Sequence, residues 1–356
     1  MKRLGIGIIG SGGIAQACHM PGYASIPDKC EMLAVADIDP GTAQRAAEKF
    51  GVKSVFCDYR ELLAMPEIDA VSIATPNAFH LQPALDAFAA GKHVLLEKPM
   101  AMNAEECKKI VRAQKASGRL LQIGLNWRFS GAGRFMKQFI ENGRMGEIYY
   151  ARAMALRRRG VPGWGVFIDK EKQGGGPLID IGVHILDFVL FLMGHPKPVS
   201  ASAQAYQKMG ANPKYWNAWG DYDRSKFTVE DFAVGLIKFE NGATVTLESS
   251  FMANLEKEIF GCHLFGTESG ASLDLFAPDP ITIFTENDRQ LFDMVPRNIP
   301  KVKSMHEDEV VAFVETILSG GESLVPGEQG LVLNAVFDAM YKSAETGREQ
   351  PIDVTY

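Results

Sequence analysis

From Leu4 to Gly124 the chain repeats one alternation, a short apolar run followed by a longer stretch with apolar residues at helical spacing. The runs are Leu4 to Ile9, Met32 to Ala36, Ala70 to Ala74, His93 to Leu96 and Leu120 to Gly124. They are apolar throughout instead of at every second position, as strands covered on both faces of a parallel sheet must be. Between them the spacing predicts helices, most clearly over Thr42 to Phe50, Ala78 to Ala90 and Ala104 to Ser117. Asn103, three residues before Glu106, opens the last of these in a capping arrangement. This order predicts an α/β Rossmann domain, a doubly wound parallel sheet, over residues 1–125.

After Leu125 strand-like segments follow one another without obligatory helices between them. They are Ile148 to Leu156, Val199 to Tyr206, Phe232 to Phe239, Ala243 to Phe251 and Ile259 to Phe265, with Glu240-Asn241-Gly242 as a hairpin turn. Helices are predicted over Gly133 to Glu141, Ile179 to Leu192, Glu307 to Leu318 and Gln329 to Thr346. Residues 126–356 therefore read as an α+β domain built on an antiparallel sheet. No internal repeat or low-complexity linker interrupts either part.

Composition narrows the function classes. The 356 residues exceed what one core usually serves, and 46% hydrophobic with 22% charged residues is globular, not disordered. A net charge of −6 with no long run of one sign lacks the basic footprint of a nucleic-acid or anionic-membrane binder. The local exception, Arg157-Arg158-Arg159, reads either as a solvated strand end or as a site for an anionic or polyhydroxy ligand. The five cysteines, Cys18, Cys30, Cys57, Cys107 and Cys262, form no CxxC pair. That argues against a disulfide scaffold or cysteine zinc site and fits a reducing cytoplasm. The opening MKRLGIGIIG is too short for a signal peptide, and no apolar run approaches about 18 residues.

Gly10-Ser11-Gly12-Gly13 follows a predicted strand and opens a predicted helix, the context of a dinucleotide turn. Gly10 allows the tight turn, Gly12 lets the backbone approach a pyrophosphate, and Ala15 keeps helix and strand close. The helix start at Gly13 and Ile14 offers N–H groups and positive dipole to the phosphates. Asp37 ends the second strand, where a carboxylate accepts hydrogen bonds from the adenosine ribose hydroxyls; Asp39 could share that place. Ile38 follows it with no adjacent arginine for a 2′-phosphate, which favours NAD(H) over NADP(H). Later strand ends carry Thr75-Pro76-Asn77 and Glu97-Lys98-Pro99, where further cofactor contacts are expected.

Lys98 should emerge at the sheet's ligand-binding edge, where a cation stabilises an alkoxide; a surface pair with Glu97 is the plainer alternative. Gly174-Gly175-Gly176 leads into Pro177 to Asp187, and on a helix Asp180 and His184 would share one face. Histidine suits proton transfer near neutral pH, and a nearby carboxylate would orient it. A satisfied core histidine is the other reading of this segment, and a metal site on Asp180, His184 and Asp187 a third, weakened by the lack of companion ligands.

GIGIIGSGGIA, AVADIDP, ATPNAFH, EKPMA, GLNWRF, GGGPLIDIGVHILD and YKSAETGR, in this order, resemble the glucose–fructose oxidoreductase/inositol dehydrogenase/MocA family of NAD(P)-dependent oxidoreductases. The resemblance spans nearly the whole chain. It implies that Lys98 touches the nicotinamide ribose and binds substrate, that His184 is the general base of oxidation, and that Asp180 binds substrate or orients it. It places Asn126 near the nicotinamide, and His80 and Glu97 belong to its cofactor-side motifs. It further implies a large open, mainly antiparallel sheet in the second domain, and homodimers or homotetramers formed through it. Trp127 departs from the second polar residue many relatives carry there. With Arg157 and Trp164 it suggests a pocket that stacks and hydrogen-bonds a sugar or polyol, although packing aromatics would look the same.

The expected activity is reversible NAD(H)-dependent oxidation of a secondary hydroxyl of a sugar, glycoside or cyclitol, with no metal. Two alternatives stand beside it, a non-enzymatic NAD-binding regulator and a glycosidase that uses NAD for a transient oxidation.

Overall fold

The computed structural model describes residues 3–356. Six strands, β1 (Leu4–Ile9), β2 (Cys30–Ala36), β3 (Ser54–Phe56), β4 (Ala70–Ile73), β5 (His93–Glu97) and β6 (Leu121–Gly124), form a sheet of order β3-β2-β1-β4-β5-β6. All its pairings are parallel. The order reverses between β1 and β4, and the carboxyl ends of strands at such a switch point frame a ligand crevice. β1, β4, β5 and β6 are buried almost throughout, which is why their sequences do not alternate. β3 leaves no mark in the sequence pattern, because three half-buried residues carry too little of it.

The helix Ala104–Ser117 has the predicted bounds, with Asn103 capping Glu106 N–H, and Gly118 at its end is left-handed with φ 64°. The segment Gly13–Ala24 is helical with a widened π turn over Ala15–His19, which brings His19 inward. Such turns cluster at functional sites.

Nine strands make the second sheet. They are β7 (Ile148–Leu156), β8 (Pro198–Tyr206), β9 (Phe232–Phe239), β10 (Thr244–Ser250), β11 (Ile259–Gly266), β12 (Gly270–Asp274), β13 (Ile281–Asn287), β14 (Gln290–Met294) and β15 (Gln350–Pro351). Their order is β14-β13-β12-β11-β7-β10-β9-β8-β15, antiparallel except for β7 against β10. Burial alternates along β9, so one face of the sheet is covered and the other is half open.

The chain divides into two compact units. One contains the residues up to Phe129 together with Val302–Asn334 and Thr355–Tyr356, and the other Ser130–Lys301 with Ala335–Val354. A single cut at 125 is therefore not how the packing divides. Helix Met305–Ser319 lays Val310, Phe313 and Val314, all fully buried, into the core beside Ile6, Ile8, Met20 and Tyr23. Each such side chain contributes roughly 1.5–3 kcal/mol. Ile123 N–H donates to Val325 O at 3.0 Å and Asn334 Nδ2 to Ala101 O at 2.8 Å, which fasten the returning segment.

Candidate active site

At the end of β1 only glycine fits position 10. Its φ is +82°, and a Cβ there would lie 2.8 Å from Ala74 C and Thr75 N. A Cβ at Gly12 or Gly13 meets nothing within 4 Å, so this turn faces open space beside helical N–H groups at Gly13 and Ile14. Asp37 is fixed towards it, for Oδ2 accepts Ser11 N–H at 2.9 Å and Oδ1 accepts Asp39 N–H at 3.0 Å. Asp39 does not share the place. It caps helix Pro40–Phe50 through Gly41 and Thr42, and the Thr42 hydroxyl, first among its partners, holds its carboxyl below the ordinary value. A cation near this end is Arg45, 2.9 Å from Thr42 Oγ1 and 3.8 Å from Asp39, about two helical turns beyond Ile38.

Thr75 Oγ1 donates to Phe79 O at 3.0 Å, and Asn77 is buried beside it. His80 is wholly enclosed, with Nδ1 2.9 Å from Pro99 O and Nε2 2.8 Å from Thr75 O, and burial lowers its pKa. A neutral ring donates to only one carbonyl at a time, yet both nitrogens face protein. His80 therefore ties the end of β4 to the turn after β5.

Glu97 is also turned inward, only 7% exposed. Its Oε1 faces His19 Nε2 at 2.8 Å and its Oε2 accepts Lys98 N–H at 3.1 Å. His19 Nδ1 meets Ser72 Oγ at 3.1 Å, and Ser72 Oγ lies 2.8 Å from Tyr23 OH. With His19 neutral, one direction satisfies the whole string: Tyr23 donates to Ser72, Ser72 to His19, and His19 to the carboxylate. Burial alone would raise the Glu97 carboxyl; the His19 hydrogen bond, with Lys98, overcomes that and holds it below the ordinary value. Neither Glu97 nor Lys98 is thus a mere surface pair. Lys98 is half-buried between the buried runs Val94–Glu97 and Pro99–Met100, and the Lys98–Pro99 peptide is cis.

The same unit receives a second histidine from far down the chain. Asn126, 4% exposed, donates from Nδ2 to His306 Nε2 at 2.6 Å. The acceptor role requires a neutral ring, and burial, opposed by Glu97 and aided by His19 and Lys98, keeps the His306 pKa low. Arg128, next to the half-buried Trp127, is buried and anchors the returning segment by bonding Leu324 O at 2.7 Å and the Gln329 side chain. His19 and His306 were unread in the sequence because their partners lie 78 and 180 residues away.

In the second unit the glycine run is an entry with no room for side chains. A Cβ at Gly175 would lie 1.9 Å from Tyr341 OH and one at Gly176 2.2 Å from Glu230 O. Buried Glu230 caps the next turn, accepting Gly176 N–H at 2.9 Å and Leu178 N–H at 3.1 Å, with Tyr341 OH at 2.9 Å; burial raises its carboxyl pKa against these bonds. Asp180 and His184 do not lie on one unbroken helix. Helix Pro177–Asp180 ends at Ile181 and helix Gly182–Leu192 begins, the segment Lys170–Asp180 lying at 46° to it. Pro177 O accepts both Ile181 N–H at 3.1 Å and the Ser249 hydroxyl at 2.6 Å, beside Gly182. Asp180 is buried, and His184 is the sole residue from Pro177 to Leu192 that is not.

Beside Asp180 stands Arg157. Burial, the largest influence, lowers its guanidinium pKa, while the Asp180 and Glu258 charges raise it. It lies 4.2 Å from the Trp219 ring and 5.6 Å from Phe251. Arg159 instead bonds Ala253 O at 2.9 Å and Asn254 Oδ1 at 2.6 Å, so the arginine run splits between site and scaffold. Among the described residues no group of histidine, cysteine, aspartate and glutamate side chains could hold a metal.

A dinucleotide suits the first unit on two counts. The space over Gly12 and Gly13 is one, and the other is Asn126 Oδ1, a buried acceptor with no partner among the described residues, suited to an amide N–H.

The oxidoreductase family with an NAD-binding Rossmann fold, GFO/IDH/MocA, matches residues 4–125, and its C-terminal domain matches residues 134–272. The D-glucoside 3-dehydrogenase of Escherichia coli is 37% identical over 97% of this chain and 96% of that protein. The inositol 2-dehydrogenase of Gluconacetobacter diazotrophicus is 27% identical over 99% and 97%. A levoglucosan dehydrogenase solved with NADH shares the fold at a TM-score of 0.87 and 24% identity, over 99% of this chain and 100% of that one. With both family models matched and a relative 37% identical over nearly its whole length, the chain belongs to the GFO/IDH/MocA family of NAD-binding oxidoreductases.

Proposed function

We propose that the protein reversibly oxidises a secondary hydroxyl of a sugar, glycoside or cyclitol with NAD(H). The observation that carries this reading recurs in both units: one titratable side chain, Lys98 or His184, comes half-exposed out of an otherwise buried run. A buried polar frame behind a single accessible group is what preorganised proton and charge chemistry needs. The 37% identity to a D-glucoside 3-dehydrogenase supports the substrate class.

In this reading Gly10, Gly12, Gly13 and Ile14 hold the pyrophosphate, Asp37 the adenosine ribose, and Thr75 and Asn77 the adjoining part of the cofactor. Asn126 Oδ1 accepts from the carboxamide. When bound, the nicotinamide supplies the hydride acceptor. Lys98 hydrogen-bonds the substrate hydroxyl and stabilises the developing alkoxide, His184 takes the hydroxyl proton, and Asp180 binds or orients. Arg157, Trp127 and Trp164 contact the substrate. Asp37 supports NAD(H), since a carboxylate fixed at the ribose repels a 2′-phosphate. The half-open face of the second sheet supports assembly into dimers or tetramers, and light scattering would read the state.

The test offers pyranosides and inositols with NAD and follows NADH absorbance. Turnover should appear with at least one, and Lys98→Ala should lower kcat/KM by about a thousandfold. An active Lys98→Ala enzyme removes the site assignment.

A further inference from the structure

Arg157, Trp219 and Trp164 form a column. Trp219 lies under the guanidinium at 4.2 Å and stacks on Trp164 with centroids 5.8 Å apart and planes 17° from parallel. Phe167 closes one side of Trp164 edge-on at 6.4 Å.

The two segments that carry the column are stitched together. The buried Asn217 side chain accepts Val161 N–H at 2.9 Å and donates to Val161 O and Gly220 O at 2.8 Å each. Ala218 N–H donates to Arg159 O at 2.9 Å. Gly160 belongs to the same fit, because a Cβ there would lie 2.8 Å from Arg157 Cδ and 3.3 Å from Trp219 Cε2. At the root of the loop, buried Asp231 accepts N–H bonds from Lys208, Met209 and Gly210.

So firmly held a column ends on an open ring. Trp164 stays 56% exposed and Trp219 40%. Packing aromatics would be covered; an exposed, rigidly supported pair marks a binding surface. Its other end is polar, since Arg157 senses the Asp180 carboxylate. The two spacings put Trp164 within about 10 Å of the guanidinium with Trp219 filling the interval, so a hydroxylated ring at Arg157 and a second ring at Trp164 would lie alongside the column, not within it.

We propose that Trp164, backed by Trp219, is the subsite for the aglycone ring of a glycoside, the ring next to the one oxidised. This rests on the oxidation reading above. The electron-rich indole face attracts the polarised C–H edge of a pyranose or arene, while Arg157 and Asp180 take the hydroxyls. The substrate class this selects is a glycoside with a ring aglycone, over a free monosaccharide.

Phenyl glucoside and glucose are compared as substrates of the wild type, Trp164→Phe and Trp164→Ala. The ratio of their kcat/KM values should fall about tenfold in Trp164→Ala and less in Trp164→Phe. An unchanged ratio, whether both rates fall together or neither does, overturns the subsite. So does a ratio that stays fixed while Trp164→Ala alters the oligomeric state, which would make the ring an interface between copies. If the wild type oxidises neither of these two nor any pyranoside or inositol of the wider panel, the oxidation reading fails by itself. Tryptophan fluorescence titrated with phenyl glucoside then decides the subsite: saturable quenching lost in Trp164→Ala supports it, and no quenching in the wild type overturns it.

Discussion

The polar groups behind Lys98 in the first unit satisfy one another, whereas those of the second unit's site lean on aromatic rings and on backbone. Tyr23, Ser72, His19 and Glu97 make a closed, buried string that ends at the Lys98 backbone. Arg157 is instead held by rings, and its stack finishes on an exposed indole. A closed network fixes one geometry and suits a cofactor that never varies; a half-open stack tolerates different guests. Invariant chemistry and variable specificity are thus built from different materials.

The contrast can be broken first at His184. His184→Ala should lower kcat by about a hundredfold or more while leaving the NADH dissociation constant within about twofold, as read by stopped-flow and fluorescence. A large loss of NADH affinity instead would make the second unit part of cofactor recognition. Next in size is Glu97→Gln, which replaces a carboxylate bonded to His19 and Lys98 N–H and should cost about 1–3 kcal/mol in denaturant unfolding. The sign with pH follows from its lowered folded pKa. The carboxylate's contribution is complete above its ordinary value of 4.5 and is lost as pH falls through the lower folded value, so Glu97→Gln should flatten the acid limb of a Tm–pH curve.

His306→Ala comes third, for it frees the Asn126 amide to rotate. NADH affinity should weaken about tenfold with kcat at saturation nearly intact, and a kcat loss larger than the affinity loss would argue against a positioning role. Smallest is Gly160→Ala. Its added methyl meets Arg157 Cδ at 2.8 Å and should cost about 1 kcal/mol in stability, with a larger relative loss on phenyl glucoside than on NADH binding.

What the sequence made legible was local. The glycine turn, Asp37, Lys98 and the buried strands announce themselves within a few residues, because strand burial and turn chemistry act at that range. Nothing in the run from Pro177 to Asp187 signals the break at Ile181, nor the Ser249 hydroxyl, 72 residues on, that bonds Pro177 O. Glu230, Trp219 and His306 escaped for the same reason: each gains meaning from a partner in another element. β12 to β14 differ in kind: they are short, and Leu291, Phe292 and Met294 of β14 are apolar yet exposed, so their pattern marks no buried face. The amphipathic run at Met305–Ser319 says that it packs, not that it packs against β1 and the helix after it.

That returning segment also orders events during synthesis. Residues up to Phe129 leave the ribosome with the places of Val310, Phe313 and Val314 empty, and the stretch 130–301 follows before Val302–Asn334 can fill them. At about 5–20 residues per second the wait is on the order of 10–40 s. For that interval the nucleotide-binding half is an unfinished core, exposed to chaperones and proteases, although it is the half made first.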